Sequence, residues 1–478
     1  MSTAVRSPAN FKRDAAEAVT KPSLKIALDR TTDLLQRRRI DVLRAYPEYE
    51  ATREIGARIK DHTLAHLDHY LAEFERNATA AGAVVHWAET PEEACRIVID
   101  LCRQADAKSV TRVKSMLGEE IGLPDALAAA GIERVETDLA EHIIQLADEP
   151  PSHIVIPAMH KTREEVADLF AEHHREPKID GEVGTLVESA RGELRPKYVA
   201  ADVGISGANF LIASTGSICT VTNEGNAELT TELPRMHIVT AGIEKIVPEP
   251  EHALVLLRLL ARSALGTEFT QYTSFFTGPR RADETVGPET MHIVLVDNGR
   301  TSMLASEMRT MLRCIRCGAC INHCPVYGAI GGHPYGATYP GPMGSVLTPA
   351  LLSLEVAKDL PHACTLNGRC AEVCPVKIPL PDLIRSLRDD TWRRKLVPKP
   401  ARLAVQGWAW VAARPALYRL VSGMTNQALR LWARGRPMIA KLPLAGGWTK
   451  GRDFPAPTGP TFMQQYKAQQ KAQQRTKR

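Results

Sequence analysis

Apolar residues in the first part of the chain recur every three to four positions, as at Leu64, Leu67, Leu71 and Phe74, the spacing of one buried helix face. Residues 23–77 therefore read as helical. A second helix is predicted over 91–105, followed by a small polar segment over 108–115. Beyond it the period shortens. Residues 152–156 form a β-branched run before Pro157, and 162–170 return to helical spacing. Residues 209–213, 218–223, 237–240 and 292–296 read as strands, with a helix over 252–264 between the last two. Alternation of this kind predicts an α/β layered domain spanning roughly residues 80–300.

The chain of 478 residues exceeds what one core covers, so two or three domains are expected. Its 44% hydrophobic and 24% charged content excludes a wholly disordered chain, a collagen-like fibre and a disulfide-dense mini-protein. After Arg300 the composition changes, and Cys, Gly and Pro dominate as far as Pro381. From Thr391 the chain is basic and Trp-rich, and the polar, low-complexity tail 464–478 is expected to be disordered. The predicted division is a helical region 1–79, the α/β domain 80–300, a cysteine domain 301–390, a basic helical region 391–463 and the tail. The net charge of +5 hides a cancellation, because residues 391–478 carry 18 Lys and Arg against one acid, Asp453. An acidic body of −12 precedes a basic segment of +17.

Residues 1–20 hold no apolar run, and nowhere do about 18 apolar residues follow one another, so neither a secretory signal nor a spanning helix is expected. Seven of the 10 cysteines lie between Cys314 and Cys374. In a chain without an export signal such clustering points to metal ligation rather than disulfides, and to the cytoplasm.

The first motif, Cys314-Ile-Arg-Cys317-Gly-Ala-Cys320-Ile-Asn-His-Cys324-Pro325, is the C-x2-C-x2-C-x3-C-P run of bacterial cluster-binding proteins. Three thiolates two residues apart wrap one face of a cubane, while the fourth leads away and Pro325 turns the chain out. Zinc is the competing reading, but four cysteines in eleven residues closed by Cys-Pro fit it poorly. The second motif, Cys364-Thr-Leu-Asn367-Gly-Arg-Cys370-Ala-Glu-Val-Cys374-Pro375, has Asn367 in place of the second cysteine. In two-cluster proteins the fourth cysteine of each run serves the other cluster. Cys314, Cys317, Cys320 and Cys374 are thus expected to hold one [4Fe–4S] cluster. Cys324, Cys364 and Cys370 are left to hold a second with three thiolates, since a neutral amide is a poor iron ligand. A [3Fe–4S] cluster or a [4Fe–4S] cluster with one labile iron follows, with a cubane completed by another ligand as the third possibility. The 39 residues between Cys324 and Cys364 are too many for a β-hairpin ferredoxin. With 347–359 helical by pattern, a mainly α-helical two-cluster ferredoxin domain is predicted. Arg313, Arg316 and Arg369 beside the cysteines either raise cluster potentials or are ordinary solvated arginines. Cys95, Cys102 and Cys219 read as core thiols.

Together with Lys114-Ser115-Met116, Glu136 to Gln145-Leu146, Pro151 to His160-Lys161, Gly207-Ala-Asn209-Phe210, Thr222 to Asn226, His237 and Gly242 to Lys245, the cysteine runs resemble one family closely. This is the LutB/LldF-type iron–sulfur cluster-binding protein of bacterial lactate utilisation, and the likeness covers most of the chain. It implies a LUD domain, similar to the NagB/RpiA/CoA-transferase-like α/β fold, followed by the ferredoxin-like domain and the helical basic C-terminus. It also implies oxidation of L-lactate to pyruvate together with companion subunits, a Cys-rich protein and a second LUD protein. Asn367 departs from the full two-cubane pattern.

A lactate site needs a cation for the carboxylate, a base for the hydroxyl proton and an electron acceptor. Candidate anion-binding groups are Lys114, Lys161 and Lys245, with the Gly-rich turns 204–207 and 222–226 offering backbone N–H groups. Candidate bases are His160 and His237, each of which also reads as a structural histidine. Glu224 invites comparison with the acyl-accepting carboxylate of the CoA-transferase-like fold, although a turn carboxylate is the plainer reading. No NAD or flavin motif is present, since Gly204-x-x-Gly207 is not a dinucleotide fingerprint. The segment 402–434, with Trp408, Trp410, Tyr418 and Trp432, reads first as a surface docking on protein partners. An anionic inner membrane face with a quinone acceptor comes second, and nucleic acid lacks any module. The leading expectation is an electron-transfer subunit of a lactate-oxidising system. A hydratase-like enzyme using an open iron and a redox-sensing scaffold are the alternatives.

Overall fold

The computed structural model describes residues 7–175, 181–442, 445–449 and 451–476. The chain forms two compact units, Met1–Arg393 and Arg394–Arg478. In the first, three long helices, Pro22–Arg44, Tyr49–Ala65 and Leu67–Ala80, precede the α/β region. The stripe Leu64, Leu67, Leu71 and Phe74 is buried, Phe74 completely, and the last three share a core with strand residues such as Val239 and Ile293.

The strands are β1 (Val84–Ala88), β2 (Ser109–Arg112), β3 (Glu133–Glu136), β4 (Val203–Gly207), β5 (Phe210–Ile212), β6 (Ser217–Thr222), β7 (Met236–Gly242), β8 (Ile246–Val247), β9 (Tyr272–Phe276) and β10 (Thr290–Val296). Six of them make a parallel sheet in the order β1-β10-β7-β4-β2-β3. A smaller sheet runs β8-β5-β6-β9, with β5–β6 and β6–β9 antiparallel. The central strands β7 and β10 are buried on both faces, as expected of parallel strands covered by helices on either side. From β2 the chain moves to β3 on one side and then to β4 on the other, so the strand order reverses at β2/β4. Ligands of open α/β sheets bind outside the carboxyl ends of strands at such a point.

The structure departs from three sequence expectations. The polar segment 108–115 contains β2, because Arg112 is buried in the strand and neutralised by Glu119 and Glu136, which a polarity pattern reads as surface. The Gly-rich segment 204–207 is strand, not turn. Gly204 lies so close to the neighbouring helix that a Cβ there would stand 1.8 Å from the Thr230 carbonyl oxygen. The β-branched run 152–156 forms no strand, since its amides turn inward and Val155 and Ile156 donate to His153 Nδ1 at 3.1 Å.

In the cysteine region the helix expected over 347–359 lies earlier, at Gly341–Leu351, with a separate turn of helix at Asp359–Ala363. Residues 341–349 are all buried, so their apolar run has no polar face from which to read its ends. In the second unit, helices Lys399–Ala412 and Pro415–Ala433 are joined edge-on by Trp408 and Tyr418, and β11 (Met438–Ile439) pairs with β12 (Phe454–Pro455). The tail expected to be disordered is helix Phe462–Thr476, whose Gln, Ala and Lys are good helix formers. Among the described residues no helix is long and apolar enough to cross a membrane.

Candidate metal centre and adjoining cavity

The two cysteine loops are built alike. In the first, Cys314 ends a 3-10 turn, Arg316 (φ 59°) and Gly318 (φ 74°) adopt left-handed backbone, and a short helix, Ala319–Asn322, carries Cys320. In the second, Cys364 ends the helix Asp359–Ala363, Leu366 (φ 56°) and Gly368 (φ 83°) repeat the left-handed pair, and helix Arg369–Glu372 carries Cys370. The amide of Arg316 donates to Cys314 Sγ at 3.4 Å and that of Leu366 to Cys364 Sγ at 3.3 Å. Further amides reach Cys324 (from Tyr327, 3.5 Å) and Cys374 (from Ile378, 3.3 Å). Backbone N–H groups aimed at sulfur stabilise electron-rich ligands.

The equivalence extends to Asn367. Ala319 donates its amide to Cys317, and at the matching position Arg369 donates its amide to Asn367 Oδ1 at 3.2 Å. The carboxamide thus replaces the thiol in the loop's own hydrogen bonding, and it is exposed. The environments differ as well. Gly318 packs on His153 and Val155, whereas a Cβ on Gly368 would meet nothing within 4 Å.

Mutual repulsion among the thiols is strongest within two groups. Cys317 is opposed by Cys374 and Cys314, and Cys320 by Cys317, Cys314 and Cys374 and, more weakly, by Cys370 of the other set. Cys324 is coupled to Cys364, and Cys370 to Cys364 and Cys324. Burial, reinforced by this repulsion, pushes the Cys370 thiol up to about 12, and burial likewise lifts Cys374 to about 11. Such thiols ionise only beside a strongly cationic partner. Among the described residues the triads of ligand atoms within 4.8 Å of one another are Glu149–His160–His333 and Glu119–Glu136–Glu141, with no cysteine triad. A tetrahedral zinc ion would bring its sulfurs to about 3.8 Å of one another. The wider spacing, the all-thiol donor set and the amides on sulfur fit polynuclear iron–sulfur clusters.

The N-terminal helices brace this centre, which the sequence pattern did not disclose. Arg53 donates to the Cys374 carbonyl at 2.7 and 2.9 Å, Arg39 to the Val373 carbonyl at 3.3 Å, and Gln36 to the Asn322 carbonyl at 2.7 Å. Nothing in a helical pattern separates these arginines from solvated ones; only their burial does.

A cavity of about 360 Å³ opens at the carboxyl ends of β2, β4 and β7, where the strand order reverses. Its wall includes Lys114, Asn209, Glu224, Thr240, Lys245 and, from the first cysteine loop, Arg316. Arg316 is largely but not fully buried, reaches Glu244 at 3.3 Å and lies over the Tyr339 ring at 4.6 Å. By contrast Arg313 pairs with Asp61 at 2.6 Å and Arg369 with Glu372 at 2.5 Å. Arg300, also on the wall, joins Glu244 (2.5 Å) and Glu120 (2.8 Å). Lys114 Nζ donates to the Val155 carbonyl at 2.7 Å. Burial, then the Arg316 charge, lowers Lys245 to about 8. Burial at the wall, then the Asp138 charge, raises Glu224 to about 7, and Leu139 N donates to its Oε2 at 2.9 Å.

The remaining candidates lie elsewhere. His160 bonds Glu149 (2.7 Å) and Ser152 (2.8 Å), and Lys161 pairs with Glu149 at 2.7 Å, beside His333. His237 is buried in β7 against Ser206 Oγ at 2.7 Å, and burial alone holds it down at about 3, so it stays neutral. None of the three lines the cavity. Cys95, Cys102 and Cys219 are buried, with Cys95 donating to the Ile121 carbonyl. Thr240, Arg316 and Glu244 at the cavity were not singled out as ligand-binding groups by sequence; their common location depends on the fold.

Residues 71–296 match the LUD domain, 310–378 the 4Fe-4S dicluster domain and 395–471 the lactate utilisation protein B C-terminal domain. The chain is 40% identical to lactate utilization protein B of Oceanobacillus iheyensis, over 95% of both chains. It is 42% identical to the protein of that name from Bacillus cytotoxicus over 88% of this chain and 89% of that one. An uncharacterized electron transport protein, YkgF, of Escherichia coli is 38% identical over 96% of this chain and 97% of that one. A solved DUF162 family protein from Deinococcus radiodurans overlaps 48% of this chain and 98% of that one, at 14% identity and a TM-score of 0.28, too slight a likeness to argue from. A parallel α/β domain with a cavity, joined to a dicluster domain with seven cysteines in two runs, defines an iron–sulfur protein of the LUD class. Within that class the chain belongs to the lactate utilization protein B family.

Proposed function

We propose that this protein is the iron–sulfur electron-transfer subunit of a system that oxidises L-lactate to pyruvate. The name shared by its relatives supports lactate, and the dicluster match supports electron transfer. Cys314, Cys317, Cys320 and Cys374 would hold a [4Fe–4S] cluster, and Cys324, Cys364 and Cys370 a second with three thiolates, either [3Fe–4S] or [4Fe–4S] with a labile iron. The thiol couplings and the exposed Asn367 support this division. Oxidation of lactate releases two electrons and two protons, and bound clusters supply one-electron acceptance.

We take the domains as 1–79, 80–300, 301–390, 391–463 and 464–478, and the α/β part as NagB/RpiA/CoA-transferase-like, on the strength of its parallel sheet and flanking small sheet. The companions are a Cys-rich protein and a second LUD protein, with a quinone at the membrane as acceptor. Supporting a docking role, Leu403, Trp408, Trp410, Leu420, Leu431 and Trp432 of the basic unit are all exposed.

One observation carries the reading: Arg316 belongs to the first cysteine loop and to the cavity wall, so ligand site and electron acceptor share a residue. Adding L-lactate anaerobically to the reconstituted complex should bleach the cluster absorbance. The open, exposed corner at Asn367 favours a second reading, hydratase-like Lewis-acid chemistry at one iron. Lactate turnover with no change in cluster oxidation state would select that reading over electron transfer.

A further inference from the structure

The cations around the cavity are spent, with one exception. Arg300 is held by Glu244 and Glu120, Arg316 by Glu244, and Lys114 by the Val155 carbonyl. Lys245 lines the cavity just beyond the end of β7 and donates no hydrogen bond to any described residue. A second group is left open beside it. Thr240, on β7 itself, is 1% exposed, lines the same cavity, and its Oγ1 has no partner among the described residues. A half-buried ammonium and a fully buried hydroxyl without partners each cost free energy that a bound oxygen anion offsets. Of the acids on the wall, Glu244 beside Lys245 is neutralised by Arg300 and Arg316, whereas Glu224 and Asp138 have no such cation among the described residues and repel an anion.

Resting on the electron-transfer reading above, we propose that this cavity binds a small 2-hydroxy or 2-oxo acid, with its carboxylate on the Lys245 ammonium and Thr240 hydroxyl. Lys245 offers three donors and Thr240 one more, which suits a carboxylate carrying an oxygen on the adjacent carbon. The cavity of about 360 Å³ admits such an acid without a change of fold. Its position places the acid on the same wall as Arg316 of the first cysteine loop.

The test is calorimetric titration of pyruvate into the full-length, cluster-loaded protein and its variants, with iron content measured on each. Wild type should bind. Lys245→Gln should weaken binding by about tenfold or more, the loss of one charge-assisted contact. Lys245→Arg should keep most of the affinity, and Thr240→Val should weaken it by about three- to tenfold. Unchanged affinity in Lys245→Gln overturns the site, as does a wild type that takes up no pyruvate at about 10 mM. If Lys245→Gln loses its iron, Thr240→Val decides, and unchanged binding there overturns the site. Clusters that are intact and reducible by dithionite in a protein that ignores pyruvate defeat this site while leaving electron transfer standing. A protein that holds no cluster defeats both.

Discussion

Asn367 stands in a loop whose backbone is already shaped for a cysteine: the left-handed pair at Leu366 and Gly368 matches Arg316 and Gly318, and the side chain accepts the same i+2 amide. Asn367→Cys should therefore fit without rebuilding the loop. It is expected to convert the second cluster to a [4Fe–4S] form that survives mild oxidation, read by iron and sulfide analysis with EPR. Glu224 gives a second residue-scale expectation. Burial, then the Asp138 charge, raises its carboxyl from 4.5 to about 7 against the opposing pull of the Leu139 amide and Lys114. The proton-accepting form therefore grows as pH climbs through about 7. With His160 and His237 both off the cavity, Glu224 is the base we propose there, so lactate-dependent cluster reduction in the complex should rise over that range and Glu224→Gln should flatten the profile. The cysteine ligands and the Asn367 gap were legible in the sequence because ligand spacing in a tight loop is local. Thr240, Lys245 and Arg316 were not legible as one site, since β7, its following turn and the first cysteine loop meet only in three dimensions.

Elements follow the same division. The helices around Leu64–Phe74 and 252–264 show amphipathic spacing and were readable, as were β7 and β10 from their β-branched runs. β2 and β4 were hidden for opposite reasons: one carries a buried arginine neutralised by carboxylates, the other two glycines demanded by close packing. The second case has a direct consequence. Gly204→Ala forces a methyl against the Thr230 carbonyl, and destabilisation of about 1–3 kcal/mol or more is expected from overpacking. Thermal unfolding should show a lowered Tm, while Gly192→Ala, in an open helical position, should not lower it.

At the scale of the whole molecule, buried neutral histidines set an acid limit. Burial lowers His142 to about 4 and His237 to about 3 from 6.5. The unfolded chain binds protons that the folded chain refuses, so their contribution to stability is complete above pH 6.5 and is lost as pH falls toward 4 and below. Denaturant midpoints measured between pH 7 and 5 should fall, and His237→Gln should lessen that fall. The charge cancellation also gains a place: the basic excess lies in the second compact unit, whose helices expose Trp and Leu, and the acidic excess lies in the unit bearing the cysteines.

The crossing of the two motifs is the feature on which the account turns, because it assigns Cys374 to the cluster of the other loop. EPR of anaerobically purified Cys374→Ser, set beside Cys324→Ser and recorded both as isolated and after dithionite reduction, tests it most directly. Cys374→Ser should lose the ordinary [4Fe–4S] signal and keep that of the three-thiolate cluster, with the reverse in Cys324→Ser. A Cys374→Ser protein that keeps the ordinary [4Fe–4S] signal and loses the other would contradict it.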